Sequence, residues 1–365
     1  MKFGSKQIKI KSDNLKKLYN LFTKILKRVL PIESQKSLQL ENCQSQLDGI
    51  GAIYRFEAYL NVFKRKDAYS LIQTNFMPLI HFGASSLTYF DFGIFHRPDI
   101  FLCFCDAFSP CSNLESLIVP NFEKSDVFSE LAQKIHLFTH LQHLSIDAKK
   151  SGKFKDFCEK SEKANSLKSI ELSNPHLELQ QKEITNLGHL MKKKSFNSIS
   201  IHSKITDSKL FFSELSDSTI SSNLRIFELS GFLFNESTFD NLLSKLDHLY
   251  CLSLIGCKLP MSTILLSISK SQTLRMLKIE KTNCQLQDSF KCTFPPFFYR
   301  LDVPNLEWDP KSLTTFMKLI VTNNWQYGFH LNISNANQSA NVWDEVFKSL
   351  PNEPNSVTRL YFDGN

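Results

Sequence analysis

A short pattern of apolar residues recurs along most of this chain. Two apolar residues flank one polar residue, and a further apolar residue precedes the pair by three positions. Such alternation is typical of a strand with one buried face. The pattern occurs eleven times, at Leu87/Phe90/Phe92, Leu114/Leu117/Val119, Leu141/Leu144/Ile146, Leu167/Ile170/Leu172, Phe196/Ile199/Ile201, Leu224/Phe227/Leu229, Leu249/Leu252/Leu254, Leu274/Leu277/Ile279, Phe298/Leu301/Val303, Gly328/Leu331/Ile333 and Val357/Leu360/Phe362.

The spacing of this pattern indicates a repeat protein. Its first residues run from 87 to 357 in ten steps, a mean period of 27 residues. Repeats of this length are supersecondary units that bury their apolar faces only by stacking on their neighbours. We therefore expect one solenoid rather than the two or three domains that 365 residues would otherwise suggest.

A second pattern lies between successive strands. Apolar or small residues at offsets 0, 3, 4 and 7 form one face of a helix. Examples are Phe128/Leu131/Ala132/Ile135, Ile184/Leu187/Gly188/Met191, Phe239/Leu242/Leu243/Leu246, Met261/Ile264/Leu265/Ile268, Leu313/Phe316/Met317/Ile320 and Trp343/Val346/Phe347/Leu350. Helices are wider than the spacing between strands, so an outer layer of helices would curve the stack. The sequence predicts an α/β horseshoe with parallel concave strands and convex helices.

The phrase L-x-x-L-x-L-x-x-N/C identifies the chain as resembling the leucine-rich repeat family, and the long unit resembles its ribonuclease-inhibitor-like class. The resemblance implies about twelve repeats of about 27 residues, over 87–365 clearly and over 35–86 in degenerate form. At the ninth position the family places Asn or Cys, whose side chain bonds to turn backbone. Cys43, Cys257 and Asn365 fit, whereas positions such as Thr282 do not. This broken ladder predicts irregular loops after the strands.

Within that class the chain is most similar to CARMIL-type protist repeat proteins. That similarity implies a non-catalytic protein-binding scaffold that regulates actin organisation at the cell cortex, in the cytoplasm or at the plasma membrane. The alternative is a GTPase-activating protein of the Ran type, which would use an exposed arginine such as Arg55, Arg65 or Arg97 and an acidic C-terminal tail. An innate-sensor ligand module is a third interpretation, which would require a nucleotide-binding domain.

The positive charge is concentrated at one end. Residues 1–36 hold ten Lys or Arg against two acids, whereas the whole chain has a net charge of +7. Residues 13–30 have helical periodicity, with Asp13 or Ser12 as a candidate N-cap and Pro31 after the end. We expect 1–34 to be a basic amphipathic helix that caps the repeat domain of 35–365. Weak contact with an anionic membrane surface is the other interpretation, and the two are compatible.

The common motifs of catalysis and cofactor binding are missing from the sequence. It contains no GxxxxGK[ST], GxGxxG, GxSxG or HExxH. His136 and His140 have metal-ligand spacing, but His143 begins a strand and no carboxylate lies between the pair, so we interpret them as solvated histidines at a helix end. No apolar run reaches the length of a membrane span, and no signal peptide precedes the repeats. The sequence predicts no enzyme activity, no cofactor and no metal, in a reduced intracellular compartment.

A protein-binding site is predicted on the concave face. Ile226, Cys251 and Met276 would form an apolar stripe there, with Ile255 beside it. An apolar centre inside a charged rim is typical of protein interfaces. The rim residues are Glu228, Lys278 and Arg300. The alternative is that a neighbouring unit or loop covers the stripe.

A nucleic-acid partner is not expected on this face. The column between the paired apolar residues carries four acids and one lysine, whereas phosphate binding requires clustered Lys and Arg. The last unit stops at its ninth position, before any helix. We therefore expect a partner, or a segment missing from this chain, to cover the C-terminal end.

Overall fold

The computed structural model describes residues 89–91, 113–119, 127–149, 151–205, 223–326, 328–350 and 357–362. Thirteen strands lie within these ranges: β1 Tyr89–Asp91, β2 Ser116–Val119, β3 His143–Ile146, β4 Ser169–Leu172, β5 Glu178–Leu179, β6 Ser198–His202, β7 Lys204–Ile205, β8 Ile226–Ser230, β9 Cys251–Ile255, β10 Met276–Glu280, β11 Arg300–Asp302, β12 Phe329–Asn332 and β13 Val357–Tyr361. The α-helices are α1 Val127–Lys134, α2 Phe154–Ser161, α3 Gln181–Lys193, α4 Glu236–Leu243, α5 Met261–Ile268, α6 Pro310–Thr322 and α7 Ala340–Lys348.

The repeated strands form a single parallel sheet of eleven strands. Their order follows the chain, β1-β2-β3-β4-β6-β8-β9-β10-β11-β12-β13, and every adjacent pair is parallel. The register aligns equivalent repeat positions: Leu117 with Leu144, Leu144 with Ile170, and Ile170 with Ile199. The predicted stacking of rung on rung is confirmed, and the chain is an α/β solenoid.

The core lies between this sheet and the helices. Strands alternate buried and partly exposed residues, as β4, β6 and β10 show. The buried positions are the paired apolar residues, which meet the apolar faces of the helices in one hydrophobic cluster. Helix starts are fixed locally: the Asn235 side chain accepts the Thr238 N–H at 2.9 Å before α4, and Asp309 accepts the Ser312 N–H at 2.9 Å before α6.

Helix α2 was not among the predicted helices. It is only eight residues long and rich in charged residues, yet Phe154, Phe157 and Cys158 are buried along one side. The Phe128 ring of α1 lies 4.9 Å from Phe154 and 5.3 Å from Phe157, measured between centroids. Three aromatic rings therefore join the two helices, and their burial compensates for the short length of α2.

The expectation of a helix in every unit is wrong for one repeat. Between β10 and β11, residues 281–299 contain only turns and irregular backbone. Pro295 and Pro296 lie in the second half of this stretch, and proline removes a backbone donor and restricts the residue before it. Aromatic side chains of this loop pack in the core where a helix would otherwise lie. The Phe294 ring stacks on Phe298, with centroids 5.5 Å apart, and lies 4.9 Å from Trp325.

The expected break in the turn ladder is only partly correct. The Cys257 thiol donates to the Leu229 carbonyl at 3.5 Å, as its position in the repeat predicts. Thr282, which does not match the family pattern, is also buried, and its hydroxyl lies 3.3 Å from the Cys257 carbonyl. A threonine hydroxyl can donate to turn backbone in the same way as an asparagine amide. The ladder therefore continues through a residue that the pattern excludes.

The weakest repeat, at Gly328, has a packing explanation. A Cβ atom at Gly328 would lie 2.6 Å from Cγ2 of Thr358 on the next strand. The aromatic ring of Trp325 stacks on Phe329, with centroids 3.7 Å apart. These rings supply the apolar surface that a leucine provides in other units, while glycine allows the close approach of β13.

Several predictions concern parts of the chain outside the described residues. They include the capping helix of 1–34 and the degenerate repeats of 35–86. The count of about twelve repeats and the horseshoe curvature also stay predictions. The last described strand, β13, is partly exposed, with Leu360 39% and Tyr361 44% exposed.

Candidate functional site

Seven residues predicted from the sequence lie on one face of the sheet. This face is opposite the helices, and we call it the open face. Across it, Ile226 pairs with Cys251, Cys251 with Met276, and Met276 with Arg300. Adjacent strands lie about 4.8 Å apart, so these side chains are direct neighbours. We call Ile226, Cys251 and Met276 the apolar stripe.

The apolar stripe reaches the solvent. Ile226 is 39% exposed, and Cys251 and Met276 are half-buried. By contrast, the flanking residues Phe227 and Leu252 are buried to 0% and 1% exposure. The stripe residues are therefore distinct from the core, although they share strands with it.

Ile255 and the charged residues extend the open face beyond the stripe. Ile255 is four residues after Cys251 on β9 and pairs with Ser230 and Glu280 on the neighbouring strands. Positions i and i+4 of a strand face the same side, so Ile255 lies on the open face. Glu228 and Lys278 lie on that face as well, each pairing with Ser253 between them.

The charged residues around the stripe each contact a polar or oppositely charged side chain. The distances are 2.8 Å from His202 Nε2 to Glu228 Oε1, 2.8 Å from Lys278 Nζ to Glu280 Oε1 and 2.8 Å from Arg300 Nε to Asp302 Oδ2. Ion pairs at an exposed surface contribute little to stability, but they fix the positions of charged groups. The rim is therefore ordered and presents both signs of charge.

The environment shifts the pKa of two groups in this region. A hydrogen bond from His202 lowers the pKa of Glu228, against an opposing effect of burial, and the nearby Lys278 charge lowers it further. Burial raises the pKa of the Cys251 thiol to about 11, with Glu228 and Asp302 adding to the effect. Near neutral pH, Glu228 is therefore ionised and Cys251 is a neutral thiol, which suits a partly apolar surface.

Ser253 differs from the expectation for its column. It lies between the paired apolar residues Leu252 and Leu254, in the column expected on the concave face, but it is only 4% exposed. Its neighbours in register, Glu228 and Lys278, have longer side chains on the same face. The small serine is therefore buried between larger residues and is not available for recognition.

The sequence analysis missed a row of arginines and tyrosines beside this surface. Arg225, Tyr250, Arg275 and Tyr299 each directly precede a strand of the sheet. The signal was present in the sequence, because each follows the first apolar residue of its repeat. The loops that surround this column have no periodic pattern.

His136 and His140 are exposed, as expected for solvated residues at a helix end, whereas His143 is half-buried. His143 lies on β3, and its Nδ1 is 2.9 Å from the Ser169 hydroxyl of β4. Burial is the main cause that lowers its pKa. His140 lies in the turn after α1, where its ring contacts Thr139. Within the described ranges, no three His, Cys, Asp or Glu side chains are arranged to hold a metal ion.

None of the helices in the described part of the chain has the length and apolarity needed to span a membrane. The longest, α3 and α6, have 13 residues each. A span requires roughly 20 apolar residues.

Comparison with known proteins gives distant structural likenesses. No family model matches the chain, and no curated protein matches it. The chain is similar to a crystal structure of the yeast Rad7 and Elc1 complex, at 17% identity over 87% of this chain and 86% of the other, with a TM-score of 0.42. It also resembles a structure of the TLR13-ssRNA13 complex, at 15% identity over 63% of this chain and 40% of the other, with a TM-score of 0.31. At these values neither likeness bears on function.

Proposed function

We propose that this chain is a non-catalytic scaffold that binds another protein through the open face of its sheet. The contact surface comprises Ile226, Cys251, Ile255 and Met276, with Glu228, Lys278 and Arg300 as its rim. One observation carries the proposal: three apolar residues from consecutive repeats are aligned in register on the side of the sheet away from the core.

The composition of this surface supports a protein partner. Protein interfaces combine an apolar centre with a polar rim, and methionine and arginine are enriched in them. The alternative explanation, that a loop covers the stripe, fits less well because Ile226 is 39% exposed. Burial of these side chains by a partner would contribute roughly 25 cal/mol per Å² of apolar surface removed from water.

The experiment compares two sets of substitutions on the same column of the open face. Ile226→Asp with Met276→Asp places charges in the stripe. Ser116→Asp with Ser198→Asp places the same charges on earlier rungs, where the column is polar. We expect affinity capture with mass spectrometry to identify proteins that the wild type and the serine variant retain and the stripe variant loses.

Thermal unfolding of the variants provides the control for folding. Because the stripe is separate from the core, its variant should melt within a few degrees of the wild type. Unchanged capture by the stripe variant would contradict the proposed interface. A large loss of stability would show instead that Ile226 and Met276 are structural.

More specific roles rest on the resemblance alone. We propose regulation of actin organisation at the cell cortex, in the cytoplasm or at the plasma membrane, which cosedimentation with actin filaments tests. A Ran-type GTPase activator is the second candidate, and stimulated GTP hydrolysis would reveal it. Its candidate arginines, Arg55, Arg65 and Arg97, lie outside the described residues.

The other predicted partners also belong to this proposal. We propose weak contact of the basic segment 1–34 with anionic membrane surfaces. Binding of nucleic acid to the open face is disfavoured by acids such as Glu228 and Asp302, which repel phosphates. Vesicle cosedimentation tests the membrane contact, and electrophoretic mobility shifts test the absence of nucleic-acid binding.

A further inference from the structure

A cavity at the edge of the sheet has the chemistry of an anion site. It lies where the strands begin, next to the row Arg225, Tyr250, Arg275 and Tyr299. Its volume is about 270 Å³, and its polar lining residues other than Tyr250 are Arg225, Arg275, His248, Gln272 and Thr273. None of the lining residues is acidic. The volume lies slightly below the usual range of ligand pockets, which suits a small group rather than a large molecule.

The sheet itself holds the row in place. The Tyr250 N–H donates to the Arg225 carbonyl at 2.8 Å, the Arg275 N–H to the Tyr250 carbonyl at 3.0 Å, and the Tyr299 N–H to the Arg275 carbonyl at 3.0 Å. These bonds continue the pairing of β8 to β11 by one residue. Arg225 and Arg275 are thus two rungs apart, with Tyr250 between them.

Aromatic rings orient one of the two arginines. The guanidinium carbon of Arg275 lies 5.6 Å from the ring centre of Tyr250 and 5.6 Å from that of Phe297. The Tyr250 hydroxyl is in turn 2.9 Å from the Tyr299 hydroxyl. Such cation-π contacts hold a guanidinium without neutralising its charge. The arginine is therefore positioned and keeps its donors for another group.

The two arginines of the cavity differ from the charged residues around the apolar stripe. Within the described part of the chain, neither Arg225 nor Arg275 forms an ion pair, whereas nearby Arg300 contacts Asp302 at 2.8 Å. Both arginines are exposed. Two exposed guanidiniums at one cavity attract an anion, and their planar forks match oxyanions in a bidentate manner.

We propose that this cavity binds a single phosphate monoester. Its two negative charges match the two arginines, and His248, Gln272 and Thr273 can donate further hydrogen bonds to its oxygens. A carboxylate would use only part of this donor set. A continuous nucleic-acid backbone would need a longer basic track than two arginines provide. The site is separate from the apolar stripe and does not depend on the function proposed for it.

The phosphate monoester has two sources, a phosphorylated side chain of a protein or a free nucleotide. The test uses the full chain at low salt with a peptide that contains one phosphotyrosine and with adenosine 5′-monophosphate. The unphosphorylated peptide and adenosine are the matched controls. Binding is measured by isothermal titration calorimetry, and the arm that binds more tightly identifies the source.

We expect at least one phosphorylated probe to have a dissociation constant about tenfold or more below that of its unphosphorylated control, because the phosphate forms charge-assisted hydrogen bonds. Arg275→Gln and Arg225→Gln should each weaken that binding about tenfold or more, because each removes one charged partner of the phosphate. The matched control is Lys168→Gln, because Lys168 is an exposed cation two rungs before Arg225 in the same column, and this variant should bind as the wild type does.

Circular dichroism checks that the arginine variants fold, which their exposure leads us to expect. The proposal is overturned if neither phosphorylated probe binds more tightly than its control. It is also overturned if both arginine variants retain wild-type affinity, or if Lys168→Gln weakens binding as much as they do, because general charge attraction would then explain the result.

Discussion

Early and late repeats share a backbone but present different open faces. In β2, β3, β4 and β6 the first open-face position is Ser116, His143, Ser169 and Ser198 in turn, and in β8, β9, β10 and β11 it is Ile226, Cys251, Met276 and Arg300. Both sets are aligned by parallel pairing in register. The repeat therefore fixes where a side chain lies, and the residue at that position determines what the surface can bind.

The two halves differ in what their first open-face positions do. The His143 ring is hydrogen bonded to Ser169 at 2.9 Å. Ile226, in the other half, is 39% exposed. Burial of exposed apolar groups by a partner favours binding, whereas burial of polar groups that are already hydrogen bonded favours it little. This difference is the reason why we propose the late repeats as the site of recognition.

The largest expected effect separates the two sides of one strand. Phe227→Ala should lower the free energy of unfolding by about 3 to 5 kcal/mol, because Phe227 is fully buried. Ile226→Ala, one residue earlier on the exposed side, should cost less than about 1 kcal/mol. Urea denaturation of both variants measures the difference. Equal losses would show that the open face is part of the core.

The next effect concerns the tight contact between β12 and β13. Gly328→Ala should lower the free energy of unfolding by about 1 to 3 kcal/mol, because its Cβ would lie 2.6 Å from Cγ2 of Thr358. Adding Thr358→Ala removes both close atoms, Cγ2 and Oγ1, and should restore part of the loss, because it also removes the hydrogen bond from the Thr358 hydroxyl to the Phe329 carbonyl. A double-mutant cycle measured by denaturation reveals this coupling. Additive effects of the two substitutions would contradict the contact.

A smaller effect tests the turn ladder of the central repeats. Thr282→Val keeps the side-chain shape but removes the hydroxyl that lies 3.3 Å from the Cys257 carbonyl. Loss of one buried hydrogen bond should cost about 1 kcal/mol. Thr314→Val is the control, since its hydrogen bond to Pro310 is exposed and its loss should change stability less. Equal denaturation midpoints for the two variants would rule out a structural role for Thr282.

The smallest effect is the acid dependence that Glu228 adds. Its pKa is lowered in the folded state, so its contribution is present at neutral pH and is lost as the pH falls through that folded value. Stability should begin to fall below the ordinary glutamate pKa of about 4.3. Glu228→Gln should reduce this acid-induced loss of stability by less than about 1 kcal/mol, because the contact between Glu228 and His202 is partly exposed. Identical pH profiles from chemical denaturation would contradict the shift.

The sequence predicted the repeated architecture well because strands carry a strict period. The buried positions and their alignment followed from it, as Leu252 and Leu277 illustrate. Features that depend on single contacts were not predictable. Helix α2 relies on aromatic contacts with α1, and the 281–299 loop replaces a helix with rings that meet Trp325. The placement of all seven site residues on one face could be predicted, but their exposure depends on neighbouring side chains.

The cavity lined by Arg225 and Arg275 could be predicted only in part from the repeat pattern. Arg225 and Arg275 occupy equivalent repeat positions, which a search for a basic column would have found. His248 and Gln272 come from the loops before the strands, where no repeat pattern operates. Their convergence with Phe297 follows from loop conformation, which the sequence pattern does not encode.

The most direct test of the account uses the native thiol of Cys251. Ile226→Cys places a second thiol opposite it on β8, where paired residues of adjacent strands are about 4.8 Å apart, within the range of a disulfide. Glu228→Cys places the thiol two residues further along β8, roughly 8 Å away and beyond that range. After mild oxidation, mass spectrometry should detect a 226–251 disulfide and no 228–251 disulfide. If both pairs cross-link equally, or only the offset pair does, the repeats are not stacked in the register that aligns the apolar stripe.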